Sequence, residues 1–153
     1  MQESIARSVR LPLALVETLE SRAAAMGLTF NDLVADILLK EVGAERNPAT
    51  VLLVELRSWL HDHYKMHNFP QDVTLQLFRA IRGDRELLRL YQAAIKDEAG
   101  KRDEHRKAAL HRRIGKMVKM QLDAEVVGRS PLLDREVELI ESYAFLKPTR
   151  RRP

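Results

Sequence analysis

The residue types that could do chemistry fall in three places. His61, Asp62, His63 and His67 cluster in one stretch, and His63 and His67 stand four residues apart. On a helix that spacing lets two imidazoles share a metal ion. No third ligand stands at a diagnostic distance, and the same residues serve equally well as a wet polar face. No metal and no cofactor is therefore expected. Residues 101–119 hold eight cations, Lys101, Arg102, Arg106, Lys107, Arg112, Arg113, Lys116 and Lys119, against only Asp103 and Glu104. On a helix Arg102, Arg106 and Arg113 lie near one face, and Arg112, Lys116 and Lys119 near another. Such a run is either a solvated face or an accessory phosphate contact, for which Arg106, Arg113 and Lys116 are the candidates. Glu136 and Glu138 are paired carboxylates in a highly charged setting that marks neither as an acid or a base. No serine-nucleophile elbow, phosphate loop, zinc-protease motif or dinucleotide glycine pattern is present, and an enzyme is not expected.

The wider composition agrees with a binding role. Cysteine is absent, so neither disulfides nor thiolate chemistry are available. The formal charge of +4 is unevenly spread: residues 1–46 carry −2, residues 47–100 carry 0 and residues 101–153 carry +6. A basic C-terminal part fits an acidic partner such as nucleic acid. No apolar run approaches the roughly 20 residues that span a bilayer, and the start of the chain lacks the order of a secretory signal. A cytoplasmic protein without membrane contact is expected.

Positioning these residues requires elements, and the sequence implies mostly helices. Residues 6–11 alternate as a short strand, with Val9 and Leu11 on one face and Ala6, Ser8 and Arg10 on the other; Arg7 is out of phase, and Pro12 ends the run. A lone strand cannot satisfy its backbone groups, so it needs a partner, and a second copy is the economical one. Residues 13–26 have helical periodicity. Gly27 suits the position just after the helix, and Thr29 and Asn31 suit the start of the next. That second helix carries Leu33, Val34, Ile37, Leu38 and Val42 and stops at Gly43.

The ordered set Ser8-Val9-Arg10-Leu11-Pro12, Leu15-Val16-Glu17-Thr18-Leu19 and Gly27-Leu28-Thr29-Phe30-Asn31-Asp32-Leu33-Val34 resembles the ribbon-helix-helix family of DNA-binding proteins, over residues 6–43. The resemblance implies a homodimer whose paired strands enter the major groove of double-stranded DNA. Ala6, Ser8 and Arg10 would then read base edges. Thr29, Phe30 and Asn31 would hold phosphate at a helix start, with Asp32 in the same turn as an electrostatic obstacle. Val9, Leu11, Leu15, Leu19, Leu33, Val34 and Ile37 would form the dimer core. Thr29 and Asn31 also read as ordinary caps, and Ser8 and Arg10 as solvated edge residues.

Asn47-Pro48 marks a boundary, with Asn47 as cap and Pro48 as first helical residue. Helices are expected over 48–67, 70–82, 84–99, 101–127 and 131–146. The expected fold is thus mainly α. A ribbon-helix-helix DNA-binding and dimerisation domain spans residues 1–46, and an all-helical bundle 47–146. A basic tail, residues 147–153, is either a DNA-tracking arm or a solubilising end. The function implied by the resemblance is a sequence-specific transcriptional regulator of bacterial or plasmid type. The C-terminal helical part would add dimer or oligomer contacts or take a protein partner. The alternatives are an accessory DNA-binding protein of conjugative transfer, or a helical adaptor that binds no DNA and whose residues 6–11 only pair in a dimer.

Overall fold

A computed structural model describes residues 5–132 and 138–150. Helices α1 (Leu13–Ala25), α2 (Phe30–Glu41), α3 (Pro48–His63), α4 (Val73–Gly83), α5 (Arg85–Ala94) and α6 (Glu104–Leu122) are followed by strands β1 (Ala124–Pro131) and β2 (Ser142–Pro148).

Local chemistry sets most of the helix starts. Thr29 and Asp32 form a reciprocal cap on α2, each side chain accepting the other's backbone N–H at 3.1 and 3.3 Å. Asn47 accepts from the N–H groups of Ala49 and Thr50 at 2.9 and 3.3 Å, with Pro48 at the first helical position. Asp84 and Asp103 cap α5 and α6 in the same way. The turn between α1 and α2 runs through Gly27 at φ +68°, where a Cβ would stand 2.7 Å from the Arg113 carbonyl oxygen of α6. Glycine is required there twice over, by backbone conformation and by the close approach.

One apolar core runs through the chain. Leu52, Leu53, Leu56 and Leu60 of α3, Leu77 and Ile81 of α4, and Ile114, Met117 and Leu122 of α6 belong to one cluster and are all essentially solvent-free. Ala23, Met26, Leu28 and Leu33 belong to the same cluster, so packing continues across the expected boundary at residue 46. Asp36 and Arg46 close that junction with a two-pronged ion pair at 2.6 and 2.7 Å.

Two expectations about the fold are corrected. Residues 6–11 form no strand. Residues 5–12 are exposed, and the backbone of 5–11 has no hydrogen-bond partner among the described residues. Alternation supplies a face but no partner, and among the described residues no backbone pairs with this segment to complete a ladder. The C-terminal part is not all-helical either. The helix expected over 101–127 ends at Leu122, where Asp123 turns left-handed at φ 49°, and the chain continues as β1. The last expected helix, 131–146, overlaps residues 133–137, which lie outside the described residues; its end is β2. The strands pair antiparallel, with Val126 opposite Leu146, Arg129 opposite Ala144 and a bulge between Val126 and Gly128. Val126-Val127 and the aromatic alternation Tyr143, Phe145 are better fitted to a pleated strand than to a helix. The sheet of the described residues therefore lies at the C-terminal end, after the helices.

Helix α3 also ends earlier than 67. Tyr64 is extended, and His67 turns left-handed at φ 63°, its N–H donated to the Leu122 carbonyl at 3.3 Å.

Candidate nucleic-acid interface

The hairpin and α6 enclose a groove of about 560 Å³, with α4 at its base. One wall is α6, whose 3.6-residue period brings Ala108, Arg112, Gly115 and Lys119 to one side, with Lys107 and Lys116 at its edges. At 1.5 Å per residue, Lys107 to Lys119 spans about 18 Å, roughly one charge per turn. Facing it is one side of the hairpin. Residues directly opposite in an antiparallel pair share a face, so Val126, Arg129, Ser142, Ala144 and Leu146 all point the same way. Those residues line the groove.

Five cations therefore edge this groove, Lys107, Arg112, Lys116, Lys119 and Arg129, against the carboxylates of Glu104 and Glu141. Glu104 is already engaged, by Arg102 at 2.8 Å. None of the five cations forms an ion pair among the described residues, and Arg129 makes only a long contact of 3.5 Å to the Ser142 hydroxyl. Arg112, Lys116, Lys119 and Arg129 are exposed. Like charges gathered on one rim repel each other, and a polyanion relieves that repulsion.

The floor is aromatic and neutral. His111 shares a 2.8 Å hydrogen bond with the Tyr91 hydroxyl through Nε2, and its ring meets Phe78 edge-on at 4.9 Å. Burial, helped by the neighbouring Lys107 and Arg102 charges, pushes the His111 pKa down to about 4. Burial also pushes Tyr91 up to about 12. Near neutral pH both are uncharged, so the positive potential comes from the rim.

The residues singled out from the sequence are distributed unevenly. Of the accessory trio, Lys116 lines the groove. Arg113 instead pairs with Asp32 at 3.3 Å, and Arg106 donates to the Lys96 carbonyl at 2.9 Å. The second face of the helix, Arg112, Lys116 and Lys119, is the one that meets the hairpin. Ala6, Ser8 and Arg10 lie on the exposed extended segment. Thr29, Phe30 and Asn31 begin α2 beside the Asp32 carboxylate, which closes that helix start with its own negative charge. Of the expected dimer core, Leu33 is buried in the chain's own core. Leu19 and Val34 are half-buried, while Val9, Leu11, Leu15 and Ile37 are exposed.

The two histidines whose spacing could share a metal ion diverge. His63 stacks on Trp59 at 4.1 Å, and His67 binds Asp123 at 2.6 Å. Among the described residues no group of three His, Cys, Asp or Glu side chains is arranged to hold a metal. No described helix is long and apolar enough to cross a membrane.

Arg129 and His111 were not singled out from the sequence. Arg129 becomes a groove residue only once 124–148 is folded as a hairpin. His111 gives no local signal, since its partners Tyr91 and Phe78 are 20 and 33 residues away in sequence.

The architecture is that of a mainly helical chain closed by a C-terminal β-hairpin, with a cationic groove between the two. No family model, curated protein or solved structure matches this chain.

Proposed function

We propose that the protein binds nucleic acid, as a regulator or accessory protein acting on DNA, and that it holds the phosphate backbone along the groove between α6 and the hairpin. The observation that carries this reading is the set of five rim cations without ion-pair partners among the described residues. Cations that neutralise phosphates release the counterions condensed on the nucleic acid, which is the main source of sequence-independent affinity. The contact comes from Arg112, Lys116, Lys119, Lys107 and Arg129, and the N-terminal segment adds Arg7 and Arg10.

The test is fluorescence anisotropy of labelled DNA against salt, with the wild type and with Arg112, Lys116 and Lys119 all changed to Ala. Each lost phosphate contact flattens the slope of log K against log salt by about 0.7–0.9, so the triple variant should lose roughly 2 units. An unchanged slope would make this rim an ordinary solvated face.

We also propose that the protein is a homodimer joined through its N-terminal part. Eight of the large exposed apolar residues, Ile5, Val9, Leu11, Leu13, Leu15, Ile37, Leu38 and Val42, lie between residues 5 and 42. A concentration of this kind marks an interaction surface. The same observation favours the second reading, a helical adaptor that binds another protein and no DNA. Absence of DNA binding at low salt together with a monomeric mass would favour the adaptor.

A further inference from the structure

We infer that the occupant of the groove is an unpaired strand with a base inside the cleft, and not a duplex lying across its rim. This rests on the nucleic-acid reading above and narrows its substrate class. The volume of about 560 Å³ falls within the range of about 300–1,000 Å³ typical of pockets that enclose a small molecule. A cleft of that size takes a nucleotide or two, whereas a double helix is too broad to enter and touches only the edge.

The walls keep the cleft open. Gly115 sits inside α6, where glycine costs a helix about 1 kcal/mol relative to alanine. Its backbone is ordinary helix, and a Cβ added there would meet no atom of the described residues within 4 Å. Neither conformation nor close packing explains it. The missing side chain leaves space in the groove, and Ala108, Ser142 and Ala144 extend that space. At the floor, the His111 ring presents an uncharged heteroaromatic surface with Nε2 already taken by Tyr91. An uncharged floor under a cationic rim suits a base beneath its own phosphates. A duplex has no use for the floor, because its bases are stacked and its phosphates lie outside.

The experiment fills the groove without touching its charge. Gly115→Leu places a side chain in the open space and should raise helix stability. Ala108→Leu, two turns earlier at an exposed groove position, is a second block should the first fail to fold. Labelled oligo(dT), oligo(U) and a duplex of equal length are titrated by anisotropy at about 50 mM salt, where electrostatic binding is strong. The expected result is tighter binding of a single strand than of the duplex. Either blocking variant should then weaken the single strand about tenfold, the size of one lost base–ring contact. Binding of either sugar supports the inference, and the tighter of the two identifies the strand as DNA or RNA. Equal or tighter binding of duplex, or single-strand binding unaffected by both blocks, overturns it. If Arg112, Lys116 and Lys119→Ala still abolishes that binding, the nucleic-acid reading survives alone. No binding of any oligonucleotide overturns both.

Discussion

Acidification from pH 7 to 4.5 should destabilise the fold through His111, and the size of the effect follows from its surroundings. The imidazole lies against Phe78, bonded to Tyr91, with Lys107 and Arg102 nearby, and its pKa falls from 6.5 to about 4. In the unfolded chain it titrates near its ordinary value. Between those two values the unfolded state binds a proton that the folded state refuses. The stabilising contribution is therefore complete above about pH 6.5 and is lost as pH falls toward 4. Each unit is worth about 1.4 kcal/mol, so the roughly two units between pH 6.5 and the lower limit of 4.5 give at most about 2.7 kcal/mol, and partial solvent access reduces this to about 2. Tyr91 adds nothing here, since its raised pKa matters only in the alkaline range. Urea midpoints measured from pH 7.5 to 4.5 should fall for the wild type. His111→Gln, which cannot take up the proton, should show a shallower fall by about 2 kcal/mol. A polyanion in the groove should shift the His111 titration upward by offsetting the Lys107 and Arg102 charges. Equal pH slopes for the two proteins, or an imidazole titrating near 6.5 by NMR, would refute the argument.

Three other outcomes are expected. Gly27→Ala should cost about 2–3 kcal/mol, because it combines a left-handed backbone with a Cβ at 2.7 Å from the Arg113 carbonyl; a thermal melt within a degree of wild type would disprove that contact. Arg46→Ala should cost about 2 kcal/mol or more by leaving the Asp36 carboxylate, only 7 % exposed, without its two-pronged partner; denaturant titration measures it, and the loss should shrink in Asp36→Asn/Arg46→Ala. Leu13→Glu with Leu38→Glu, at positions 72 % and 60 % exposed, should leave the fold intact and convert a dimer to a monomer in sedimentation; a dimer that persists would move the interface elsewhere.

How much was legible in the sequence follows the range of the forces involved. Helices α1 to α5 announce themselves through apolar periodicity and through signals within four residues: Gly27, Thr29 with Asp32, Asn47 with Pro48, Asp84. These are local hydrogen bonds and local dihedral preferences, so a short window contains the whole cause. The cationic run of α6 and its two faces were equally visible, because a helix projects residues three and four apart together. Which face would be engaged within the fold was not visible, since Arg113 and Arg106 are occupied by Asp32 and the Lys96 carbonyl, partners that only folding brings near. Residues 124–127 and 131–146 read as helix because their apolar positions also fit a helical row. A strand is stabilised by a neighbour, and β1 finds its own in β2, as where Val126 meets Leu146 across 20 residues. Residues 6–11 failed in the opposite sense: their alternation is real, but alternation supplies no backbone partner. The amino-acid sequence by itself thus determined the helices, their caps and the positive charge of the C-terminal part. The tertiary structure alone decided the hairpin, which of the α6 cations have ion-pair partners among the described residues, and the groove, because each depends on groups far apart in the chain meeting at a few ångströms.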